Sequence, residues 1–243
     1  MYNRFSINMK DNASKGWNEN LKWLVFGACS QLDSEVVFNG TNTISKWVDV
    51  LVNNEKMNGI LGYSKTGPGA NSSGTTDEKV MKKFTSGIEQ GKSIKEAWED
   101  ANAYYLGIKS KYWGVLVKDT CENYTLSDSL DQHNISYNSI YLYRYEYDKV
   151  IFDSSRNALE IEESVDNINY SRDYAVNTVQ QYLNKENIPI DNLDITMEIS
   201  VRDIFDNQGG YKETQNLGYI FEITPKGICL HKIEVHYKHL MQK

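Results

Sequence analysis

The sequence predicts a mixed α/β chain in two parts. A parallel-sheet α/β unit over residues 1–130 is followed by a smaller α+β domain, with an antiparallel sheet and one helix, over residues 131–243. Three observations predict this. Runs that are apolar throughout, at residues 23–28, 59–63 and 112–117, alternate with stretches of helical periodicity, the pattern of strands covered on both faces. From about Ile135 the pattern changes to period-two alternation, as in strands with one face in the core. A length of 243 residues suffices for two cores.

The first run, WLVFGA, leads into Cys29 and Ser30. Ile44, Trp47, Val48 and Leu51 then recur at helical spacing, and GILGY at 59–63 follows as a second short strand. A strand, helix, strand crossover is right-handed and makes its strands parallel, so Cys29 and Ser64 are expected at one edge. The glycines and proline of the loop at 64–74 exclude regular structure, leaving a binding surface or a plain connector. Thr75 with Glu78, and Ser93 with Glu96, have capping-box spacing ahead of two amphipathic stripes: Val80, Phe84 and Ile88, then Ile94, Ala97, Trp98, Ala101 and Tyr105. Gly91 separates the two helices. The third run, YWGVLV, reads as another buried strand whose exit, Lys118 to Cys121, is expected at the edge that carries Cys29.

In the second part Tyr137, Tyr141, Tyr143, Tyr145 and Tyr147 fall on odd positions, so one strand face is mostly tyrosine and half-buried. A helix over 171–183 carries Ala175, Val179, Tyr182 and Leu183. Beyond it Leu193, Ile195, Met197, Ile199 and Val201 alternate with polar neighbours. Strands at 219–223 and 228–237 flank the turn TPKG and form a hairpin.

A net charge of −7 argues against nucleic-acid or anionic-membrane partners, which are bound through clustered Lys and Arg. No run of 18 apolar residues is present, so no membrane-spanning segment is expected. The first 16 residues lack the apolar core of a signal peptide. The compartment stays open between the bacterial cytoplasm and export directed by a signal outside this chain. Cys29, Cys121 and Cys229 are too few and too scattered for a disulfide scaffold or zinc cluster, although Cys121 and Cys229 could pair after export. On the last strand, alternation separates His236 from His231 and His239, so one ion cannot easily take all three. No metal and no cofactor is predicted.

Ligands of open parallel sheets sit outside the carboxyl ends of the strands. That edge gathers Cys29, Ser30, Ser64, Lys65 and Thr66. A thiol that attacks a carbonyl needs a cationic neighbour or base and backbone donors for the oxyanion. Lys65 supplies charge but is a poor proton shuttle near neutrality. The histidines, His133, His231, His236 and His239, all lie far along the chain from the first strand. The plainer alternative for Cys29 is a small core hydrophobe.

The ordered motifs LKWLVFGACSQL (21–32), SKWVDVLVN (45–53), GILGYSKTGPG (59–69) and FTSGIEQGKSIKEAWEDAN (84–102) resemble the caspase-like fold, especially bacterial gingipain-like cysteine peptidases. The resemblance covers about residues 21–117. It implies that Cys29 stands in the nucleophile's place, as nucleophile or relic, and that the loop at 64–69 lines a peptide cleft. The family's histidine precedes the cysteine strand in a His-Gly turn, and residues 1–20 contain no histidine. Two expectations follow: a chain that begins downstream of a missing amino-terminal portion, or a degenerate branch. Either makes this chain alone a poor peptidase, and either exposes a sheet edge through which it could oligomerise. The alternatives are a non-catalytic module that binds a peptide or protein at this edge or on the tyrosine face, and an envelope-associated accessory protein.

Overall fold

The computed structural model describes residues 21–27, 29–33, 37–38, 41–65, 67–68, 70–71, 74–106, 112–131, 135–161, 169–225 and 231–236. In chain order these form β1 (Trp23–Val25), β2 (Val37–Phe38), β3 (Thr41–Asn42), α1 (Thr43–Asn53), β4 (Gly59–Tyr63), β5 (Ala70–Asn71) and β6 (Gly74–Thr75). Then come α2 (Thr76–Glu89), α3 (Ile94–Leu106), β7 (Trp113–Lys118), a 3-10 turn (Asp119–Cys121), α4 (Leu126–Asp131) and β8 (Ser139–Asp153). The rest is β9 (Ala158–Ile161), α5 (Asn169–Lys185), a second 3-10 turn (Ile190–Asn192), β10 (Leu193–Asp206), β11 (Tyr211–Pro225) and β12 (His231–His236). The principal sheet runs β1-β4-β7-β8-β10-β11-β12, with β9 paired to β8.

The sheet is mostly antiparallel, which corrects the expected parallel sheet. β1 and β4 are parallel, as the single-helix crossover through α1 requires. β7 runs antiparallel to β4, with Tyr63 opposite Trp113 and Gly59 opposite Val117. The connection explains the direction. It consists of two helices that turn back at Gly91, whose φ is +81°, and they pack so closely that a Cβ on Gly87 would lie 3.0 Å from that of Ala97. A helical hairpin returns the chain to the sheet edge it left, so the next strand must run the other way. Hence the exit of β7 does not reach the Cys29 edge: the Lys118 N–H donates to the Asn58 carbonyl, before the start of β4.

Two compact units are distinguished, residues 1–144 with 202–214 and residues 145–201 with 215–243, so their limits fall within β8, β10 and β11. In the first, side-chain alternation sends Ile60, Leu116, Ile140 and Leu142 to the face covered by Ile44, Trp47, Val48 and Leu51 of α1. The opposite face meets α2 and α3, where the Tyr63 and Phe84 rings lie 5.5 and 5.4 Å from that of Trp98. The Tyr63 hydroxyl donates to Asn102 Oδ1 at 2.7 Å inside this layer. At the start of α3 the Glu96 N–H donates to Ser93 Oγ, the cap that the sequence spacing predicts.

In the second unit Ala175, Val176, Val179 and Leu183 of α5 cover Ile195, Met197, Ile199 and Val201 of β10 and Tyr219, Phe221 and Ile223 of β11. Tyr182, expected within that stripe, is exposed instead. The predicted carboxy-terminal hairpin forms, with Tyr219 opposite Val235 and Phe221 opposite Ile233. Of the tyrosines on odd positions, Tyr143 and Tyr145 are buried and Tyr141 partly so.

Candidate functional site at the carboxyl ends of β1 and β4

After β1 the chain stays pinned to β4. The Phe26 N–H donates to the Leu61 carbonyl, Ser30 to the Lys65 carbonyl at 2.7 Å, and Leu32 to the Tyr63 carbonyl at 2.9 Å. Leu32 anchors this turn by packing over Gly62 and Gly114, where a Cβ would come within 3.4 and 3.0 Å of its side chain. Glycine at these two positions is what lets the turn lie flat on the strand ends. Within it Ser30 has a left-handed φ of +57°, a conformation that L side chains adopt at a cost.

This path leaves Cys29 exposed, and its sulfur accepts a hydrogen bond from the Gly67 N–H at 3.3 Å. The Gln31 amide donates to the Cys29 carbonyl at 3.3 Å. The thiol is thus presented to solvent in a position fixed by a donor from the loop after β4. Exposure disposes of the alternative in which Cys29 is core filler. Ser64 is buried, and its hydroxyl and N–H both donate to the Tyr112 carbonyl, joining β4 to the approach to β7. Lys65 is exposed, with its ammonium 5.9 Å from the centre of the Tyr112 ring. The structure therefore brings Cys29, Ser30, Ser64 and Lys65 to one edge, while Thr66 lies outside the described residues. His133 and His239 also lie outside them, and His231 and His236 open and close β12 in the second unit. No histidine is found among the described residues of the first unit.

Two polar clusters escaped sequence reasoning because their members meet only through the fold. Under α3, Lys95 donates to Glu122 at 2.7 Å, and Arg202 donates to the Tyr143 hydroxyl at 3.2 Å. The Lys95 ammonium sits 4.0 Å above the Tyr143 ring and the Arg202 guanidinium 4.5 Å above that of Tyr141, giving the tyrosine face cations to cover. Burial works to raise the Glu122 carboxyl, but hydrogen bonds with Lys95 and Tyr143 outweigh it and hold the group below its ordinary value. Burial, reinforced by the bond to Glu122, pushes the Tyr143 hydroxyl well up. The second cluster lies at the amino end of β4, where Lys118, Asn54 and Asn58 are buried together.

Among the described residues no group of three or more His, Cys, Asp and Glu is placed to hold a metal ion, and no helix is long and apolar enough to cross a membrane. Comparison with protein-family models, with curated proteins and with solved structures finds nothing that matches this chain.

Proposed function

We propose that the chain is a caspase-like cysteine-peptidase-related protein whose working surface is the carboxyl edge of β1 and β4, with Cys29 as the nucleophile or its relic. One observation carries the proposal: an exposed sulfur at the end of the parallel pair, held by the Gly67 N–H at 3.3 Å beside a left-handed turn at Ser30. Backbone strain of this kind persists where a side chain must be aimed. The ligand class is a peptide or protein chain, laid across the strand ends and the loop from Ser64.

Hydrolysis needs a group to take the thiol proton and return it to the leaving amine. Lys65 is the nearest described cation in sequence to this edge, and a lysine is a poor shuttle near neutral pH. Peptide capture without chemistry therefore suits this site better than rapid hydrolysis. The non-catalytic binding reading draws on the same fact, since binding needs no base.

The test compares two electrophiles with the same warhead, one on a peptide and one without it, scoring alkylation of Cys29 by mass spectrometry. Exposure alone makes Cys29 react with both. A peptide site makes the peptidyl reagent faster by about ten-fold, the equivalent of about 1.4 kcal/mol of recognition. Equal rates overturn the proposal. Release of product from an ordinary peptide substrate, lost in Cys29→Ala, separates the peptidase from the binding module.

A further inference from the structure

The end of the sheet opposite Cys29 holds a group of buried polar atoms that the proposed function does not use. Lys118 and Asn58 are both fully buried, at 0% exposure, and Asn54 is 3% exposed. The Lys118 N–H donates to the Asn58 carbonyl at 3.0 Å, one step beyond the pairing of Gly59 with Val117, so the two side chains stand side by side on the face covered by α1. The ammonium of Lys118 donates to the Asn54 carbonyl at 2.7 Å, just past the end of α1, and lies 4.6 Å from the centre of the Tyr137 ring. Asn54 Oδ1 accepts the Lys56 N–H at 3.1 Å. Asn54 Nδ2 and both polar atoms of the Asn58 side chain have no hydrogen-bond partner among the described residues.

We propose that Asn54, Asn58 and Lys118 form a binding site for a small monovalent anion of about the size of chloride. The chemistry of the cluster is rich in hydrogen-bond donors. Among the described residues the cluster offers two unpartnered carboxamide NH2 groups and the remaining N–H bonds of an ammonium ion against one unpartnered carboxamide oxygen, so the matching ligand accepts hydrogen bonds and carries negative charge. The ammonium of Lys118 forms no ion pair among the described residues, although the Glu55 carboxylate acts on it at longer range. A peptide carbonyl and a ring face offer dipole and quadrupole only, and the carboxyl end of α1 supplies roughly half a charge. Buried charges are ordinarily paired, and buried amides ordinarily bonded. One monatomic anion meets both requirements at once.

Burial draws the Lys118 amine down to about 8, the groups next in influence being Cys121 and Glu55, which favour the charged form, and Lys22, which opposes it. Tyr137, itself pushed up by burial and then by Glu55 and Asp119, stays neutral beside the site. An anion bound to the ammonium opposes the effect of burial, so its binding weakens as the pH rises past 8 and Lys118 loses its proton.

The experiment uses the full chain and two readouts. Crystals grown or soaked in sodium bromide are expected to show a bromide anomalous peak in contact with Lys118 Nζ and the Asn58 carboxamide. A peak absent there, or a site filled by water alone, overturns the proposal. In solution, thermal midpoints are recorded in sodium chloride and in sodium gluconate of equal ionic strength. A saturable rise of a few degrees in chloride alone is expected. The variant Asn58→Asp supplies an internal carboxylate of nearly the same shape, so it is expected to keep the fold and lose the chloride response. Retention of that response in Asn58→Asp places the ion elsewhere and rejects the site. The bromide readout needs no variant and stands if a substitution prevents folding.

Discussion

The two ends of the β1/β4/β7 layer make opposite use of polar groups. At the carboxyl end of β4 the thiol of Cys29 and the ammonium of Lys65 are exposed, and the turn between β1 and Leu32 is held by backbone hydrogen bonds. At its amino end the ammonium of Lys118 and the carboxamides of Asn54 and Asn58 are removed from water, and three of the carboxamide atoms have no hydrogen-bond partner among the described residues. Water can solvate the Cys29 thiol and the Lys65 ammonium at the first end, so geometry there is free to serve a ligand as large as a peptide. At the second end each group depends on its neighbours, so only a small ligand enclosed with them can change their energetics. The antiparallel direction of β7 creates this division, because it carries Lys118 away from Cys29 and into the layer beneath α1.

The largest expected effect tests the buried end. Lys118 titrates near 8 in the folded chain against an ordinary value of 10.5, so between these pH values the unfolded chain binds a proton that the folded chain does not. Stability contributed by this residue therefore rises with pH across that window, by on the order of 3 kcal/mol in a buffer without halide. Cys121 and the tyrosines Tyr63, Tyr137 and Tyr143 are all pushed up by burial and act with the opposite sign as they titrate at higher pH. Urea unfolding of the parent and of Lys118→Met from pH 7.5 to 10.5, each with Cys121→Ala, isolates the lysine, because Cys121, which is coupled to it, is removed and the tyrosines cancel in the difference. Parallel curves would show that Lys118 is not held as a buried cation. Chloride is expected to flatten the difference, since a bound anion keeps the proton in place.

A smaller effect compares packing at the two ends. A Cβ on Gly59 would lie 2.5 Å from the Trp23 ring and 2.7 Å from the Leu116 carbonyl oxygen, and the latter is backbone that cannot turn aside. Gly59→Ala is expected to cost about 2 kcal/mol in urea unfolding. A Cβ on Gly67 would meet the Tyr63 ring at 3.2 Å, and Gly67→Ala retains the N–H that reaches Cys29. Its expected cost is under about 1 kcal/mol, with alkylation of Cys29 little changed. Equal costs at the two positions would break the contrast between a tight end and an open one.

Much of this layer was legible in the sequence because local pattern determined it. The apolar run before Cys29, the stripe Ile44, Trp47, Val48 and Leu51, and the short run at 59–63 yield β1, α1 and β4 with the expected parallel pairing. Ser93 caps α3 as its spacing indicates, and β11 and β12 pair antiparallel as predicted, while the predicted turn between them runs into residues outside the described ones. The direction of β7 was not legible from its own residues, since a strand apolar on both faces looks the same read either way. The information lay in the connection, whose two helices with Gly91 between them return the chain to its starting edge. β11 begins at Tyr211, before the predicted strand at 219–223, because Gly209 at φ +88° and Gly210 close a turn on the Asp206 carboxylate. The position of Cys29 could be read from its strand, whereas its hydrogen bond from Gly67 could not. Lys118 was expected at the Cys29 edge and Asn58 carried no signal of its own, and only register and the roof of α1 bury them together.

The smallest effect concerns Ser30, where stability and function are expected to move in opposite directions. A serine at φ +57° bears a steric cost of about 1–2 kcal/mol that glycine does not. Glycine loses more backbone entropy on folding, by roughly 0.5–1 kcal/mol, so Ser30→Gly is expected to stabilise the chain by about 0.5 kcal/mol net. The same change lets the turn beside Cys29 sample other conformations, so the sulfur spends less time against the Gly67 N–H and the preference for a peptidyl electrophile falls by two- to three-fold, or about 0.5 kcal/mol. Urea midpoints and paired alkylation rates read the two quantities in one preparation. A variant that gains stability and keeps its full peptidyl preference would show that the left-handed turn only joins β1 to Leu32, and that the aim of Cys29 comes from Gly67 alone.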